Sequence, residues 1–334
     1  MPPAESLAGD YYRGKQVMVT GGLGFIGSNL ARRLVELGAA VVVVDALIPN
    51  FGGNRENLAG FEDRLKIHIV NLSEAKILAA LVTGIDVVFN LAGQVSHLDS
   101  MSDPLTDLEA NARAQIVLLE ACRQFAPQAR VAFASTRQIY GKPAYWPVDE
   151  RHPLHPVDVN GIHKMAAEAY HTLYHEVYGL WTVSLRLTNT YGPRMRVMDA
   201  RQTFLGLWLR RALEDQPLEV WGGGQQRDLT YVDDVVEAFL CAVANPRTAG
   251  GVYNLGGCPP VRLTELAQAL IGIAGGGTIL TKEFPAARKR IDIGDYYADD
   301  RRFRAATGWA PKVMLAEGLE RSVAYYRERL GAYV

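Results

Sequence analysis

The sequence has few cysteines, no excess of basic residues and no long apolar run. Its three cysteines, Cys122, Cys241 and Cys258, lie far apart and form no Cys-x-x-Cys pair. This spacing argues against a disulfide framework and against a zinc site made by cysteines. The 35 Lys and Arg residues are offset by 36 Asp and Glu residues, so no basic surplus indicates a nucleic-acid partner. No apolar run reaches the roughly 18 residues that a membrane span requires.

The beginning of the chain also lacks the features of an export signal. Residues 1–15 contain acidic residues, tyrosine and glycine instead of a positively charged start followed by an apolar segment. The sequence of 334 residues is 49% apolar and 21% charged, which is typical of a compact enzyme of one or two domains. We therefore expect a cytoplasmic protein without a nucleic-acid or membrane partner.

Short β-branched runs alternate with helical periodicity in the first half of the chain. The predicted strands are residues 16–20, 41–45, 66–71, 86–91 and 130–135. Each precedes a segment with apolar residues three or four positions apart. Because strands that are apolar throughout are buried on both faces, this alternation predicts a doubly wound α/β domain with a parallel sheet.

The pattern changes after about residue 187, where Gly- and Pro-rich breakers separate shorter elements. This predicts a smaller C-terminal α/β domain. We place the first domain at residues 1–190, with residues 232–256 returning to it. The second domain then comprises residues 191–231 and 257–334.

A glycine-rich turn follows the first predicted strand and precedes a helix. Gly21, Gly24 and Gly27 permit a tight turn, close approach of the backbone to a pyrophosphate and close packing of the helix on the strand. The helix N-terminus also favours phosphate. Asp45 ends the second strand, where a carboxylate can accept both ribose hydroxyls, and no adjacent Arg or Lys is present to bind a 2′-phosphate. These features predict a Rossmann-type dinucleotide site that prefers NAD to NADP.

Five motifs occur in an order typical of one enzyme family. They are Thr-Gly-Gly-Leu-Gly-Phe-Ile-Gly at 20–27, Asn-Leu-Ala-Gly at 90–93, Ser-Thr-Arg-Gln-Ile-Tyr-Gly at 135–141, Asn-Thr-Tyr-Gly-Pro-Arg at 189–194 and Gln-Arg-Asp-Leu-Thr-Tyr-Val-Asp-Asp at 226–234. From about residue 15 to residue 326 the chain resembles the extended short-chain dehydrogenase/reductases. More narrowly, it resembles their NAD-dependent nucleotide-sugar epimerases and dehydratases.

The resemblance implies contacts to NAD and to a nucleotide-diphosphate sugar. The implied NAD contacts are Gly21, Gly24, Phe25, Ile26, Gly27, Asp45, Asn71, Leu72, Leu91, Ala92, Gly93 and Lys164. For the diphosphate, the resemblance implies Asn189, Arg227 and either Arg288 or Arg290. Cationic or amide donors are needed there because they must replace the water of an anion. A solvated charge run is the alternative for Arg288 and Arg290.

The catalytic motif of the family is incomplete in this chain. The family's strand-end Ser or Thr corresponds to Thr136, whose hydroxyl can hydrogen-bond the reacting sugar oxygen, or can instead satisfy a local backbone group. The family's lysine corresponds to Lys164. The tyrosine of the Tyr-x-x-x-Lys motif is replaced by Asn160. An amide does not titrate near neutral pH, so Asn160 cannot act as a general base.

Asn160 allows three interpretations. It can cap a helix that begins at Gly161, since Asn is a favoured N-cap residue. Alternatively, another side chain takes over the proton, with His97, His163 and Lys164 as candidates. We favour His97, because the corresponding family loop lines the sugar site and an imidazole titrates near physiological pH. Third, the protein binds cofactor and sugar without turnover.

Arg137 and Gln138 follow Thr136, where family dehydratases usually carry Asp and Glu and decarboxylases commonly carry a Glu. The missing carboxylates disfavour both reactions, whereas an epimerase needs only reversible hydride transfer at one carbon. Arg137 is a candidate to bind an anionic group on the sugar through its planar guanidinium. The alternative is an ion pair with a nearby acid such as Asp99 or Asp149.

We therefore predict an NAD-dependent nucleotide-sugar epimerase that acts by transient oxidation at C4. The alternatives are a nucleotide-sugar dehydratase and a non-catalytic protein that binds NAD or nucleotide sugars. A homodimer is expected, because the family builds a four-helix interface from the helices that here carry residues 107–125 and Lys164, although core packing would give the same pattern. We expect no metal, since His171 and His175 have no evident third ligand.

Overall fold

The computed structural model describes residues 9–334, with the backbone alone at positions 287 and 288. Its strands are β1 (Gln16–Thr20), β2 (Ala40–Asp45), β3 (Leu65–Ile69), β4 (Val87–Asn90), β5 (Arg130–Thr136), β6 (Trp181–Leu187), β7 (Asn189–Tyr191), β8 (Pro217–Trp221), β9 (Gln226–Arg227), β10 (Leu229–Tyr231), β11 (Val252–Leu255), β12 (Val261–Arg262) and β13 (Thr278–Lys282). Its helices are α1 (Phe25–Glu36), α2 (Ala75–Val82), α3 (His97–Ser102), α4 (Pro104–Leu108), α5 (Ala114–Phe125), α6 (Val159–Tyr178), α7 (Phe204–Leu213), α8 (Val232–Ala244), α9 (Leu263–Ala274), α10 (Ala286–Lys289), α11 (Arg301–Thr307) and α12 (Leu315–Arg329).

Seven parallel strands form the central sheet in the order β11-β6-β5-β4-β1-β2-β3. Side chains alternate between its faces. Val17 and Val19 pack against α1 and α8 on one face, whereas Met18 packs against α2 and α5 on the other. The predicted doubly wound α/β fold is therefore confirmed. The strand order reverses between β1 and β4, which is where folds of this type open a crevice for a ligand.

A smaller α/β region surrounds a second apolar core. It contains the strand pairs β7·β10, β8·β13 and β9·β12, and helices α7, α9 and α12. Between these elements the chain returns to the central sheet through α8 and through β11, which pairs with β6. The boundaries of the two domains stay a prediction. Within residues 9–334, every helix is too short or too polar to cross a membrane.

One predicted helix contains an irregular turn, and the predicted start of another helix is wrong. The continuous helix expected from residue 107 to residue 125 is interrupted by a π-helical turn at Glu109–Arg113. Within this turn Asn111 points inward and donates hydrogen bonds to Gln94 O (2.9 Å) and Asp107 Oδ2 (3.1 Å). Such π-turns are frequent at functional sites.

The second correction concerns the cap of α6. This helix begins at Val159 rather than at Gly161, and its N-cap is Asp158, whose Oδ1 accepts the Gly161 N–H at 2.6 Å. The capping position is therefore occupied by a carboxylate two residues earlier. The interpretation of Asn160 as the N-cap is wrong, and its side chain is free to serve the interior.

Candidate active site

A cleft of about 740 Å³ lies over the carboxyl ends of β1, β4 and β5 and extends to the smaller α/β region. The predicted site residues that line it are Gly21, Gly24, Phe25, Ile26, Gly27, Asp45, Asn71, Leu72, Leu91, Ala92, Gly93, His97, Thr136, Arg137, Asn160, Lys164, Asn189 and Arg227. Arg290 is exposed and is not among the described lining residues. The side chain of Arg288 lies outside the described residues.

The glycine-rich turn leaves the backbone open towards the cleft. Gly21 has a φ of 66°, and a Cβ there would lie 2.9 Å from the Ala92 backbone. A Cβ on Gly27 would clash with the carbonyl oxygen of Gly21. Helix α1 has Gly24 as its N-cap and no side-chain cap bond, so its first N–H groups are available to a phosphate. The turn therefore fits the pyrophosphate of a dinucleotide.

Asp45 lies at the end of β2 beside this turn. Its two oxygens accept the backbone N–H groups of Leu23 (3.0 Å) and Leu47 (2.9 Å), and burial raises the pKa of the carboxyl above its usual value. Each oxygen keeps a lone pair for a ribose hydroxyl. The flanking lining residues Ala46 and Asn71 carry no positive charge, which fits NAD rather than its 2′-phosphorylated form.

Lys164 enters the cleft from the second turn of α6. Burial lowers the pKa of its ammonium to about 8, against an opposing effect of Asp107. Its Nζ donates to Ala134 O at 3.2 Å. Gly93 makes room for it, since a Cβ there would lie 3.1 Å from Nζ. Lys164 therefore lines the cleft as a buried amine whose charged form is disfavoured relative to that of a free lysine.

Asn160 is 3% exposed, and its N–H groups are bonded within the protein. Its Nδ2 donates to Gln94 O (2.9 Å) and to Asp107 Oδ2 (3.1 Å), and its backbone N–H donates to Ser100 Oγ (3.2 Å). The side chain thus ties α6 to the segment that follows β4. It offers no titratable group to a substrate.

The two candidate histidines each lie against a buried aspartate. His97 Nδ1 is 3.1 Å from Asp158 Oδ2, and the side chain is 39% exposed along the cleft wall. His163 Nδ1 is 2.7 Å from Asp107 Oδ1, and that side chain is 15% exposed. His163 is not among the described lining residues. Of the three candidate bases, His97 and Lys164 therefore face the cleft and His163 lies behind Asn160.

Thr136 and Arg137 form the tip of β5. Thr136 Oγ1 accepts the Gln138 N–H at 3.2 Å, which leaves its own hydroxyl hydrogen to donate. Asp99 pairs with Arg201 and Asp149 with Arg151, so neither of these two acids is the partner of Arg137. The acid whose charge acts most on Arg137 is Asp228.

Arg137 instead lies in a buried polar group of side chains. Its guanidinium is 5.4 Å from the Tyr296 ring centroid. Arg137 Nη1 and Asp228 Oδ1 are buried without a hydrogen-bond partner among the described residues. Burial raises the pKa of Asp228 to about 7. Arg137 therefore keeps an unsatisfied donor in the cleft wall, whereas Asp228 is not among the described lining residues.

Arg227 and Asn189 line the far part of the cleft. The Arg227 guanidinium donates to the carbonyl oxygens of Gln226 and Gly294 and to Asp292 Oδ1. These bonds leave Nε–H and one Nη2 hydrogen. Burial and the nearby Arg137 lower the pKa of Arg227 to about 10. Asn189 Oδ1 is buried without a partner among the described residues.

Sequence reasoning missed Asp158, Asp107 and Asn111, which hold the site from behind. Only Asp158 left a usable signal, because an Asp just before a helix is a favoured N-cap. Asp107 and Asn111 lie in a stretch whose π-helical turn has no sequence signature here. Their roles depend on contacts between distant segments, which periodicity does not report.

The comparisons with known proteins agree with the family predicted from the motifs. The model of the NAD dependent epimerase/dehydratase family matches residues 17–256. A UDP-glucose 4-epimerase of Mycolicibacterium smegmatis is 32% identical over 321 residues, covering 94% of this chain and 99% of that protein.

Two solved structures extend the agreement to the fold. The UDP-glucose 4-epimerase of Thermotoga maritima with UDP-glucose is 30% identical, with a TM-score of 0.87 over 94% of this chain and 99% of that one. A dTDP-glucose 4,6-dehydratase of Streptomyces venezuelae with NAD and TYD bound is 28% identical, with a TM-score of 0.85 over 95% of this chain and 98% of that one. The chain therefore belongs to the NAD-dependent epimerase/dehydratase family, as its motifs predicted, and is an NAD-dependent enzyme of the nucleotide-sugar epimerase and dehydratase type.

Proposed function

We propose that the protein is an NAD-dependent nucleotide-sugar epimerase that inverts C4 by transient oxidation. One observation carries the proposal. Thr136, Lys164 and the glycine-rich turn line the same cleft, and the two residues after Thr136 are Arg137 and Gln138 rather than carboxylates. NAD, when bound, supplies the hydride acceptor and returns the hydride in each cycle. No net redox partner is then required.

The side chains of the cleft have separate tasks in this proposal. The Thr136 hydroxyl donates to the C4 oxygen as it becomes a carbonyl. Lys164 holds the nicotinamide ribose and adds positive charge beside the reacting oxygen. Asn189 and the free N–H groups of Arg227 bind the diphosphate. Asn160 transfers no proton and holds the surrounding backbone.

A dehydratase is the less supported reaction. Its elimination needs an acid for the leaving hydroxyl and a base for the C5 proton, and the two positions after Thr136 supply neither. Gln138 is also unavailable for a substrate, because its Nε2 donates to Asp158 Oδ2 at 2.6 Å. His97 or Lys164 would have to perform the elimination. Loss of water from the product distinguishes this reaction from epimerisation.

The test is a panel of UDP-, dTDP-, CDP- and GDP-sugars incubated with the NAD-loaded protein, with the products identified by mass and NMR. The proposal expects a product of unchanged mass and inverted C4 from at least one sugar. A product lighter by one water indicates the dehydratase. With NAD shown to be bound, no conversion of any sugar indicates the non-catalytic alternative.

We further propose that Arg137 binds an anionic group on the sugar. The unsatisfied Nη1 and the absence of an ion pair for Arg137 among the described residues support this role. We expect Arg137→Ala to weaken UDP-glucuronic acid at least about tenfold more than UDP-glucose, as loss of a charge-assisted bond would. Arg151→Ala, on the surface, is the matched control. An equal loss for the charged and neutral sugars would contradict the role.

We also propose that the enzyme is a homodimer. Val177 is 61% exposed on α6 and Leu105 is 71% exposed on α4, and Ala169 and Leu173 continue the apolar stripe along α6. Leu118 and Leu119, in contrast, are buried in the core of the protomer. A second copy of the same face would cover this stripe. Leu173→Glu is expected to give monomers in analytical ultracentrifugation, and Leu280→Glu, equally exposed elsewhere, is expected not to.

A further inference from the structure

The carboxylate of Asp158 contacts three residues from different segments: Gly161, Gln138 and His97. Its Oδ1 accepts the Gly161 N–H at 2.6 Å. Its Oδ2 accepts Gln138 Nε2 at 2.6 Å and lies 3.1 Å from His97 Nδ1. Burial alone would raise the pKa of Asp158, but contact with His97, and then the bonds from Gly161 and Gln138, lower it below its usual value. The carboxylate therefore stays ionised beside the His97 ring.

This contact decides which edge of the ring faces the substrate. With Nδ1 towards Asp158, Nε2 lies on the opposite edge of the imidazole, and the ring lines the cleft. A carboxylate at Nδ1 favours the tautomer whose Nε2 lone pair can accept a proton. Nδ1 is close to Oδ2 without an aligned hydrogen bond, and such bonds commonly align when a substrate enters.

Gln138 relates this pair to the expected reaction centre. Its backbone N–H donates to Thr136 Oγ1, and its side chain donates to Asp158. One residue therefore fixes the hydroxyl that donates to the sugar oxygen and the carboxylate that orients the imidazole. Gln138 therefore positions its neighbours, at a site where dehydratases carry a catalytic carboxylate.

Asn160 fixes the segment on which His97 lies. Its side chain binds Gln94 O and its backbone N–H binds Ser100 Oγ, so both ends of residues 94–100 are tied to the first turn of α6. His97 is the first residue of α3, which Ser96 caps through the Asp99 N–H at 3.2 Å. The asparagine at the family's tyrosine position thus offers no base, and its side chain anchors the Gln94 end of the segment that carries His97.

We propose that His97 is the general acid–base of the reaction, that Asp158 orients its ring, and that Asn160 anchors its segment. The inference rests on the proposed epimerase function. The C4 hydroxyl proton passes to His97 Nε2 while the C4 hydride leaves for the cofactor, so the O–H and C–H bonds break and C=O forms. Return of the hydride to the opposite face of C4, and of the proton from His97 Nε2 to the C4 oxygen, restores the alcohol with inverted configuration.

Lys164 and His163 fit this task less well. Lys164 Nζ already donates to Ala134 O and lies deep in the cleft. The His163 ring is paired with Asp107 behind Asn160. His97 combines a cleft position with a ring edge that no described protein group occupies.

The experiment compares His97→Gln, Asp158→Asn and the control His155→Gln, whose side chain is exposed outside the cleft. We measure turnover and its pH profile with the sugar converted in the panel. His97→Gln is expected to lower kcat by about 10²–10⁴-fold, the usual contribution of a general base, and to abolish the acidic limb that reports protonation of the base. Asp158→Asn, which keeps a good N-cap, is expected to lower kcat by a smaller factor with KM unchanged.

A second readout needs neither cofactor nor sugar. Because the His97 contact lowers the pKa of Asp158, carbon-13 NMR should show this carboxyl titrating at higher pH in His97→Gln and unchanged in His155→Gln. An unshifted titration overturns the pairing. If the wild type converts a sugar and His97→Gln keeps its rate and acidic limb, the inference fails and the epimerase stands. A wild type that converts no sugar overturns the epimerase itself.

Discussion

The two ends of the cleft are built differently. At the NAD end the binding surface is mostly backbone: glycines that lack a Cβ, free N–H groups of α1 and one carboxylate on Asp45. At the sugar end the surface is made of side chains from distant segments, with His97, Asp158 and Asn160 joined across more than sixty residues. A binding surface made of backbone can be recognised from a short sequence motif, whereas a network of side chains from distant segments cannot.

The difference also concerns tolerance to change. A glycine that meets a neighbouring carbonyl cannot be replaced without moving backbone, so the NAD end is expected to keep the family's pattern. A proton can be carried by any titratable group at the right place. The sugar end can therefore exchange one base for another while the fold and the cofactor stay the same.

At the NAD end, the largest effect is expected from Gly27→Ala. The added Cβ would meet the Gly21 carbonyl oxygen, and overpacking of this kind costs about 3 kcal/mol, or a loss of about 100-fold in NAD affinity. Calorimetric titration with NAD measures it. Gly272→Ala, where no atom lies within 4 Å of the new Cβ, is the control. Unchanged NAD affinity in Gly27→Ala would break the comparison.

Lys164 acts at both the NAD end and the sugar end of the cleft in this proposal, and Lys164→Met tests that role. We expect kcat to fall about 100-fold, as for loss of one electrostatic donor. The free energy of unfolding of Lys164→Met at pH 7 should, in contrast, be higher than that of the wild type. The folded pKa of Lys164 is about 8 against 10.5 for a free lysine, so its buried charge costs about 3 kcal/mol below pH 8.

The cost to the wild type should disappear as pH rises from about 8 to 10.5, because the unfolded chain then also loses its proton. Urea unfolding at a series of pH values measures it. Lys164→Met should be more stable at pH 7 and lack this rise, while Lys76→Met, exposed on α2, should follow the wild type. A destabilised Lys164→Met at pH 7 would contradict the buried charge.

Asp45→Ala should reduce NAD affinity by about tenfold, since it removes charged acceptors for two hydroxyls. It should weaken NADP less, because the same change removes repulsion of a 2′-phosphate. Fluorescence titration with both dinucleotides measures the ratio. A parallel loss of both affinities would show that Asp45 does not select the cofactor.

Asn160→Tyr tests the side-chain network at the sugar end. Asn160→Tyr restores the family residue, but it breaks the bonds to Gln94 and Asp107 and crowds a buried position. We expect kcat to fall at least about tenfold, with NAD affinity unchanged. A large increase in turnover would instead mean that the natural site is a weakened one without a replacement base.

The sequence predicted the parts of the molecule whose causes are local. β1 was predicted to the residue, and the glycine-rich turn was predicted from the strand before it, the helix after it and Asp45 at the end of the second strand. The start of α6 was missed because Asp158 and Asn160 are both good caps, and only the tertiary contact of Asn160 with Gln94 decides between them. The Asp158 contact with His97 was not predictable for the same reason.

The fate of deuterium placed at C4 of the converted nucleotide sugar is the most direct test of transient oxidation at that carbon. We expect a product with inverted C4 that retains the deuterium on the same carbon, because the hydride leaves and returns while the sugar stays bound. Replacement of that deuterium by solvent hydrogen, or a product that has lost water, would contradict it.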